Sequence, residues 1–149
     1  MSNTQTTAVP ALVLRRTYNV PPQRLFDAWT TPAIAATFLG PGDVTVPEIE
    51  MDVRPGGTYR IVMVKADGER LPVTGTYREV RPPERLSMTW RWEEDNPADE
   101  YDTLLTLEFN PVAGGTEVVL THAQIATAES RENHAHGWGL ILDQLAAIR

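Results

Sequence analysis

The feature that most constrains this chain is a change of hydrophobic period. From Val44 to His122 apolar residues recur at every second position, and from Ser130 to Arg149 they recur at helical spacing. Period two places alternate side chains on one face of a strand, so Ile49, Met51 and Val53 oppose Glu48, Glu50, Asp52 and Arg54. The same alternation joins Tyr59, Ile61 and Met63, then Gly75 and Tyr77, then Leu86, Met88, Trp90 and Trp92. It continues in Leu105, Leu107 and Phe109 and ends in Val118, Leu120 and His122. Pro55-Gly56-Gly57, Ala66-Asp67-Gly68-Glu69, Pro82-Pro83 and Gly114-Gly115 separate these runs with turn chemistry. With Leu12 to Tyr18 as a first strand, the pattern predicts an α+β chain with six or seven antiparallel strands.

One long helix is left to cover the apolar face. Trp138, Ile141, Leu142, Leu145 and Ile148 form a single stripe, with His134 one turn before Trp138. Ser130, with Asn133 or Glu132, is the expected start of this helix. Gly137 and Gly139 flank Trp138, and close packing of the helix backbone on another element is the expected reason for them. Two short helices follow the first strand: Leu25, Phe26 and Trp29 stripe one, and Ile34, Phe38 and Leu39 the other, which ends at Gly40-Pro41-Gly42.

A sheet gripping one helix tends to leave a cavity between them. Strand parity aims Tyr59, Ile61, Met63, Tyr77, Met88, Trp90, Trp92, Leu105, Leu107, Leu120 and His122 inward, and the helix supplies His134, Trp138, Ile141 and Leu145. That apolar set with a few polar groups has the composition of a ligand pocket, and so many aromatic rings are hard to close-pack. His122 is the polar group best placed to meet a ligand or to move a proton. The acidic stretch Glu93 to Asp102 reads as a solvated, mobile loop that could gate the pocket.

Other chemistries lack their residues. There is no cysteine, and His134 and His136 lack the i, i+4 spacing of a helical metal pair, so neither metal nor cofactor is expected. The acid row Glu48, Glu50 and Asp52 faces away from the apolar side, towards water. No serine sits in a nucleophile elbow, no glycine pair matches a phosphate loop, and the catalytic residues, if any, stay unknown. A net charge of −7 argues against nucleic acid and anionic membrane as partners, and no apolar run is long enough for a membrane helix. The first nine residues lack the pattern of a signal peptide and read as a disordered tail in a cytoplasmic protein, with residues 10–149 as a single domain. A weak homodimer is left open.

Taken in order, Glu50-Met-Asp-Val-Arg-Pro-Gly-Gly-Thr-Tyr59, Gly75-Thr-Tyr77, Pro83-Glu-Arg-Leu86, Gly115-Thr116, Thr121-His122 and Gly137-Trp138 make a recognisable series. Phe26-Asp-Ala-Trp-Thr-Thr-Pro32 and Leu39-Gly-Pro41 belong to it as well. The series resembles the homologues of the activator of the 90-kDa heat-shock protein ATPase, within the START/Bet v 1-like (SRPBCC) superfamily. The resemblance implies a helix-grip fold: a curved antiparallel sheet around a long C-terminal helix, enclosing a hydrophobic cavity. It further implies binding or sequestration of a small hydrophobic molecule, with a polyketide-cyclase-like enzyme as the alternative. Chaperone activation comes third, because in eukaryotic co-chaperones this domain accompanies a separate chaperone-binding domain for which 149 residues leave no room.

Overall fold

The computed structural model describes residues 9–148, so eight of the nine residues of the expected tail lie outside the described part. The order of elements is β1 (Leu12–Tyr18), α1 (Pro22–Thr30), α2 (Pro32–Ala35), β2 (Thr45–Met51), β3 (Thr58–Val64) and β4 (Arg70–Arg81). Then come β5 (Arg85–Trp92), β6 (Thr103–Val112), β7 (Gly115–Ala123) and α3 (Ala128–Leu145). The strands form one seven-stranded antiparallel sheet in the order β1-β7-β6-β5-β4-β3-β2. Consecutive strands from β2 to β7 are hairpin neighbours, and β1 pairs with β7, so α1 and α2 carry the chain from one sheet edge to the other. None of the described helices is long and apolar enough to cross a membrane.

Register explains why the alternation in the sequence yields one continuous inner face. Leu12 lies opposite His122, His122 opposite Leu105, Leu105 opposite Met88 and Met88 opposite Tyr77, a row that crosses five strands. Every member of the row is buried. The β4–β5 pairing changes phase once, at a bulge between Tyr77 and Glu79, after which Val80 opposite Leu86 continues the inner face. Glu48 and Glu50 point to solvent on β2, as the alternation predicts. The turn after β2 holds Gly56 at φ +83°, a conformation that disfavours residues with a Cβ.

Gly75 serves a close approach instead. A Cβ there would collide with the Thr89 carbonyl oxygen and lie 2.5 Å from the Tyr59 ring. The missing side chain lets the Tyr59 ring lie against β4, where its hydroxyl donates to Thr89 O at 2.6 Å. Thr89 Oγ1 in turn accepts from the Thr76 N–H at 2.9 Å. Side chains thus satisfy backbone groups where the β4–β5 ladder loosens.

α3 lies on the inner face with Trp138, Ile141, Leu142 and Leu145 buried. It starts one turn before the proposed cap: Thr127 is the N-cap, its hydroxyl accepting from Ser130 N at 3.0 Å. It ends at Leu145, short of the expected Arg149, and Ile148 still packs on the core from beyond that end. α2 is also shorter than its apolar spacing suggests, and Phe38 and Leu39 are buried in the turns that follow it. Both ends of α3 are tied down. Gln144 Nε2 donates to Phe38 O and Gly40 O, each at 2.9 Å, and its Oε1 accepts from Gly42 N at 2.9 Å. Tyr18 Oη donates to Leu142 O at 2.7 Å, and Arg131 reaches Pro10 O and Ala11 O beside β1.

Candidate functional site

A cavity of about 400 Å³ lies between α3 and strands β3, β4 and β5, with Pro41 and Val44 of the α2–β2 connection at one side. Its floor is Met63, Trp90, Trp138 and Ile141, all buried. Around the floor stand Leu71, Trp92, Ser130, Asn133, His134 and Gly137, which are half-buried or, for Asn133, exposed. The cavity is therefore open on the side of the first turns of α3.

Of the expected site residues, Met63, Trp90, Trp92, His134, Trp138 and Ile141 come together in this lining. Ile61, Tyr77, Met88, Leu105, Leu107, Leu120, His122 and Leu145 are inward as predicted but lie in the filled core, off the lining. Tyr59 is also core, with its hydroxyl spent on Thr89 O. Pro41, Val44, Leu71, Ser130, Asn133 and Gly137 were not anticipated. Ser130, Asn133, Gly137 and Ile141 share the helical stripe of His134 and Trp138, and Leu71 keeps the parity of Gly75 and Tyr77. The signal for these was present in the spacing.

The glycine reading needs correcting. A Cβ at Gly137 would meet nothing within 4 Å, and one at Gly139 only Arg16 Nη2 at 4.0 Å. No element packs tightly on the helix backbone at either residue; Gly137 borders the cavity instead. The acidic loop is corrected as well: none of its residues lines the cavity. It is pinned by Arg60–Glu93 at 2.8 Å, Arg91–Asp102 at 2.9 Å and the Tyr101 hydroxyl, which accepts from Ala126 N at 3.3 Å.

The two inner histidines have fixed roles. His122 Nδ1 accepts from Trp138 Nε1–H at 3.0 Å, and its Nε2 meets Thr103 Oγ1 at 2.7 Å. The Thr103 hydroxyl already donates to Trp90 O at 2.6 Å, so its oxygen accepts and His122 Nε2 carries the proton. This is a neutral imidazole with both nitrogens occupied and no exposure to solvent. Burial, aided by nearby His134, pushes its pKa down to about 3. His134 repeats the arrangement nearer solvent. Its Nδ1–H donates to Ser130 O at 2.8 Å and its Nε2 accepts from Trp92 Nε1–H at 2.9 Å. Burial lowers its pKa too, opposed by the Ser130 bond. Two indole N–H groups are thus parked on two imidazole lone pairs, which fixes the rings of Trp92 and Trp138 in the cavity wall. The indole nitrogens of Trp29 and Trp90 have no partner and sit among aromatic rings, whose faces are only weak acceptors.

A larger depression, about 610 Å³, lies on the opposite face of the sheet. It is lined by outward residues such as Arg60, Arg78, Thr74, Thr76, Arg91 and Asp102. Arg60 and Arg91 are already neutralised in the ion pairs above and the lining mixes polar, charged and apolar groups, so the smaller, mostly apolar cavity is the better candidate.

The model of the family described as Activator of Hsp90 ATPase homolog 1-like protein matches residues 19–149. The chain belongs to that family. Solved structures agree with the assignment. A protein from Chromobacterium violaceum is 29% identical, with a TM-score of 0.82 over 92% of this chain and 94% of that one. The AHSA1 protein from Silicibacter pomeroyi is 29% identical, with a TM-score of 0.79 over 93% and 96% of the two chains. An AHSA1-like protein from Aeromonas hydrophila, at 22% identity and a TM-score of 0.76 over 93% and 91%, shares the fold. No curated protein matches the sequence. The AHSA1-like chain thus has the helix-grip architecture expected of the START/Bet v 1-like superfamily, with a seven-stranded antiparallel sheet, a C-terminal helix and two short helices after the first strand.

Proposed function

We propose that this protein binds and sequesters a small hydrophobic molecule in the cavity between the sheet and α3. The observation that supports the reading is the cavity itself: about 400 Å³ of mostly apolar, open-sided space between the sheet and α3. At about 30 Å³ per water, that is the volume of about 13 water molecules. Protein interiors are normally packed as densely as organic crystals, and ligand pockets begin at about 300 Å³. Three of the four tryptophans face this space, a large apolar surface for a ligand to cover. A catalytic reading has less to draw on. His122, its best acid or base, lies off the lining with both ring nitrogens engaged.

Native mass spectrometry of gently purified protein tests the proposal. The expected result is a reproducible small-molecule adduct that Leu71→Trp, which fills the cavity from its half-buried side, removes while the protein stays folded. An adduct that survives this substitution unchanged would place the ligand elsewhere. Bare protein that also fails to take up a hydrophobic probe would turn attention from the cavity to a protein-interaction role.

A further inference from the structure

The lining of the cavity is more selective than its apolar character alone implies. It contains no charged side chain, and its only titratable group, His134, is neutral with both nitrogens engaged. A charged group brought inside would find no counter-ion, and uncompensated burial of a charge is strongly unfavourable. Apart from the buried Trp90 indole N–H, which has no partner, the polar side chains with capacity to spare are on one side, in the first turns of α3. The Asn133 amide has no hydrogen-bond partner among the described residues, and the Ser130 hydroxyl has only a long 3.4 Å contact to His134. The opposite wall, with Met63, Leu71 and Trp90, is apolar. Between the two walls Gly137 leaves the helix backbone bare, with open space where a side chain would stand.

Resting on the binding role proposed above, we infer that the ligand is an uncharged aromatic molecule with one hydrogen-bonding end, and that Gly137 is the residue that sets its size limit. The ring body lies over the bare backbone at Gly137, against Trp90 and Trp138. The polar end faces Ser130 and Asn133. Neighbouring Gly139 is outside the lining and has no such role.

A matched pair of fluorescent probes tests the inference. N-phenyl-1-naphthylamine is uncharged, and 8-anilinonaphthalene-1-sulfonate carries a sulfonate on the same ring skeleton. The neutral probe is expected to bind the wild-type protein at least about tenfold more tightly, since its burial leaves no unpaired charge. Gly137→Leu should weaken the neutral probe by about 10–200-fold, the range for a misfit of a methylene or so in an apolar pocket. Gly139→Ala should leave it within about twofold, inside ordinary variation for a site it does not touch. Thermal melting of both variants at or above the wild-type temperature shows that the fold is kept. Equal binding of the two probes overturns the uncharged class. Full binding by Gly137→Leu, while Leu71→Trp abolishes it, overturns the role of Gly137 and leaves the cavity reading standing. Failure of the wild-type protein to bind either probe removes the binding role and this inference with it.

Discussion

Acidification should destabilise this protein between pH 7 and 5 through His122, and the size of the effect follows from its burial. In the fold His122 is neutral, because protonating Nδ1 would set its new N–H against the Trp138 N–H that now donates to it. Its pKa falls from the ordinary 6.5 to about 3. A base whose pKa is depressed by folding keeps the native state neutral while the unfolded chain takes up a proton. The stability from His122 is therefore complete above pH 6.5 and is lost progressively as the pH falls towards 3. At pH 5 the unfolded histidine is almost fully protonated and the native one is not, a difference of about 2 kcal/mol. That figure hardly changes for any native value below about 4, so it does not depend on how far burial lowers the pKa. His134, lowered in the same direction, steepens the slope. Glu48, Glu79 and Glu93 are held below their ordinary 4.5 by Arg70, Arg85 and Arg60, so their contribution is lost mainly at lower pH. Urea unfolding of the wild type and His122→Gln at pH 7 and 5 isolates the effect. The substitution costs about 1–3 kcal/mol at pH 7 by breaking the hydrogen-bonded pair, and it should remove about 2 kcal/mol from the pH 7-to-5 difference. Long-range ¹H–¹⁵N NMR should find the Nε2–H tautomer of His122 unchanged down to pH 5. A midpoint near 6.5 for His122, or an undiminished pH dependence in the variant, would refute the reasoning.

Three further substitutions probe other parts of the structure. Gly137→Ala should raise stability by about 0.8–1.0 kcal/mol, the helix propensity gap between the two residues, because its Cβ meets nothing within 4 Å; thermal melting reads this as a rise of about 2–4 °C. Gly75→Ala should lower stability by about 3 kcal/mol in chemical denaturation, since its Cβ would run into the Thr89 carbonyl and the Tyr59 ring. Gln144→Leu strips the three bonds that hold residues 38–42 to α3; a loss of about 1–3 kcal/mol is expected, with faster amide hydrogen exchange concentrated in that loop.

The strand faces were legible in the sequence because side-chain parity in a sheet is fixed by the backbone. Each of the strand residues aimed inward by alternation from Tyr59 to Leu107 is buried or, at Trp92, half-buried. Parity gives direction and not depth. Tyr77 and Trp90 point the same way, yet one is sealed in the core and the other meets the cavity, because α3 covers the sheet unevenly. The position of α3 depends on Gln144 meeting residues 38–42 and Tyr18 meeting Leu142, contacts spanning more than a hundred residues that no local pattern encodes. The glycine reading failed for a related reason. Helix propensity says that Gly137 carries a cost but not what the cost is for, and a close neighbour and an empty space look alike in sequence.

The same tethers explain why the empty space persists. In its C-terminal half α3 presents Ile141, Leu142 and Leu145, which fill the gap to the sheet and are almost wholly buried. Closer to its start the same stripe interleaves Ser130, Asn133 and Gly137, too small to do so, with His134 and Trp138. A free helix would tilt until the small residues touched the strands. This one is held at its start by Arg131 on the backbone beside β1, and near its end by Gln144 and Tyr18. Trp92 and Trp138 are held in turn by His134 and His122, so neither indole can swing across to close the void. The opening is thus built from small side chains on a fixed helix beside locked aromatic rings. That arrangement keeps apolar surface uncovered, and under the proposed binding role it spares a ligand the cost of reordering the walls.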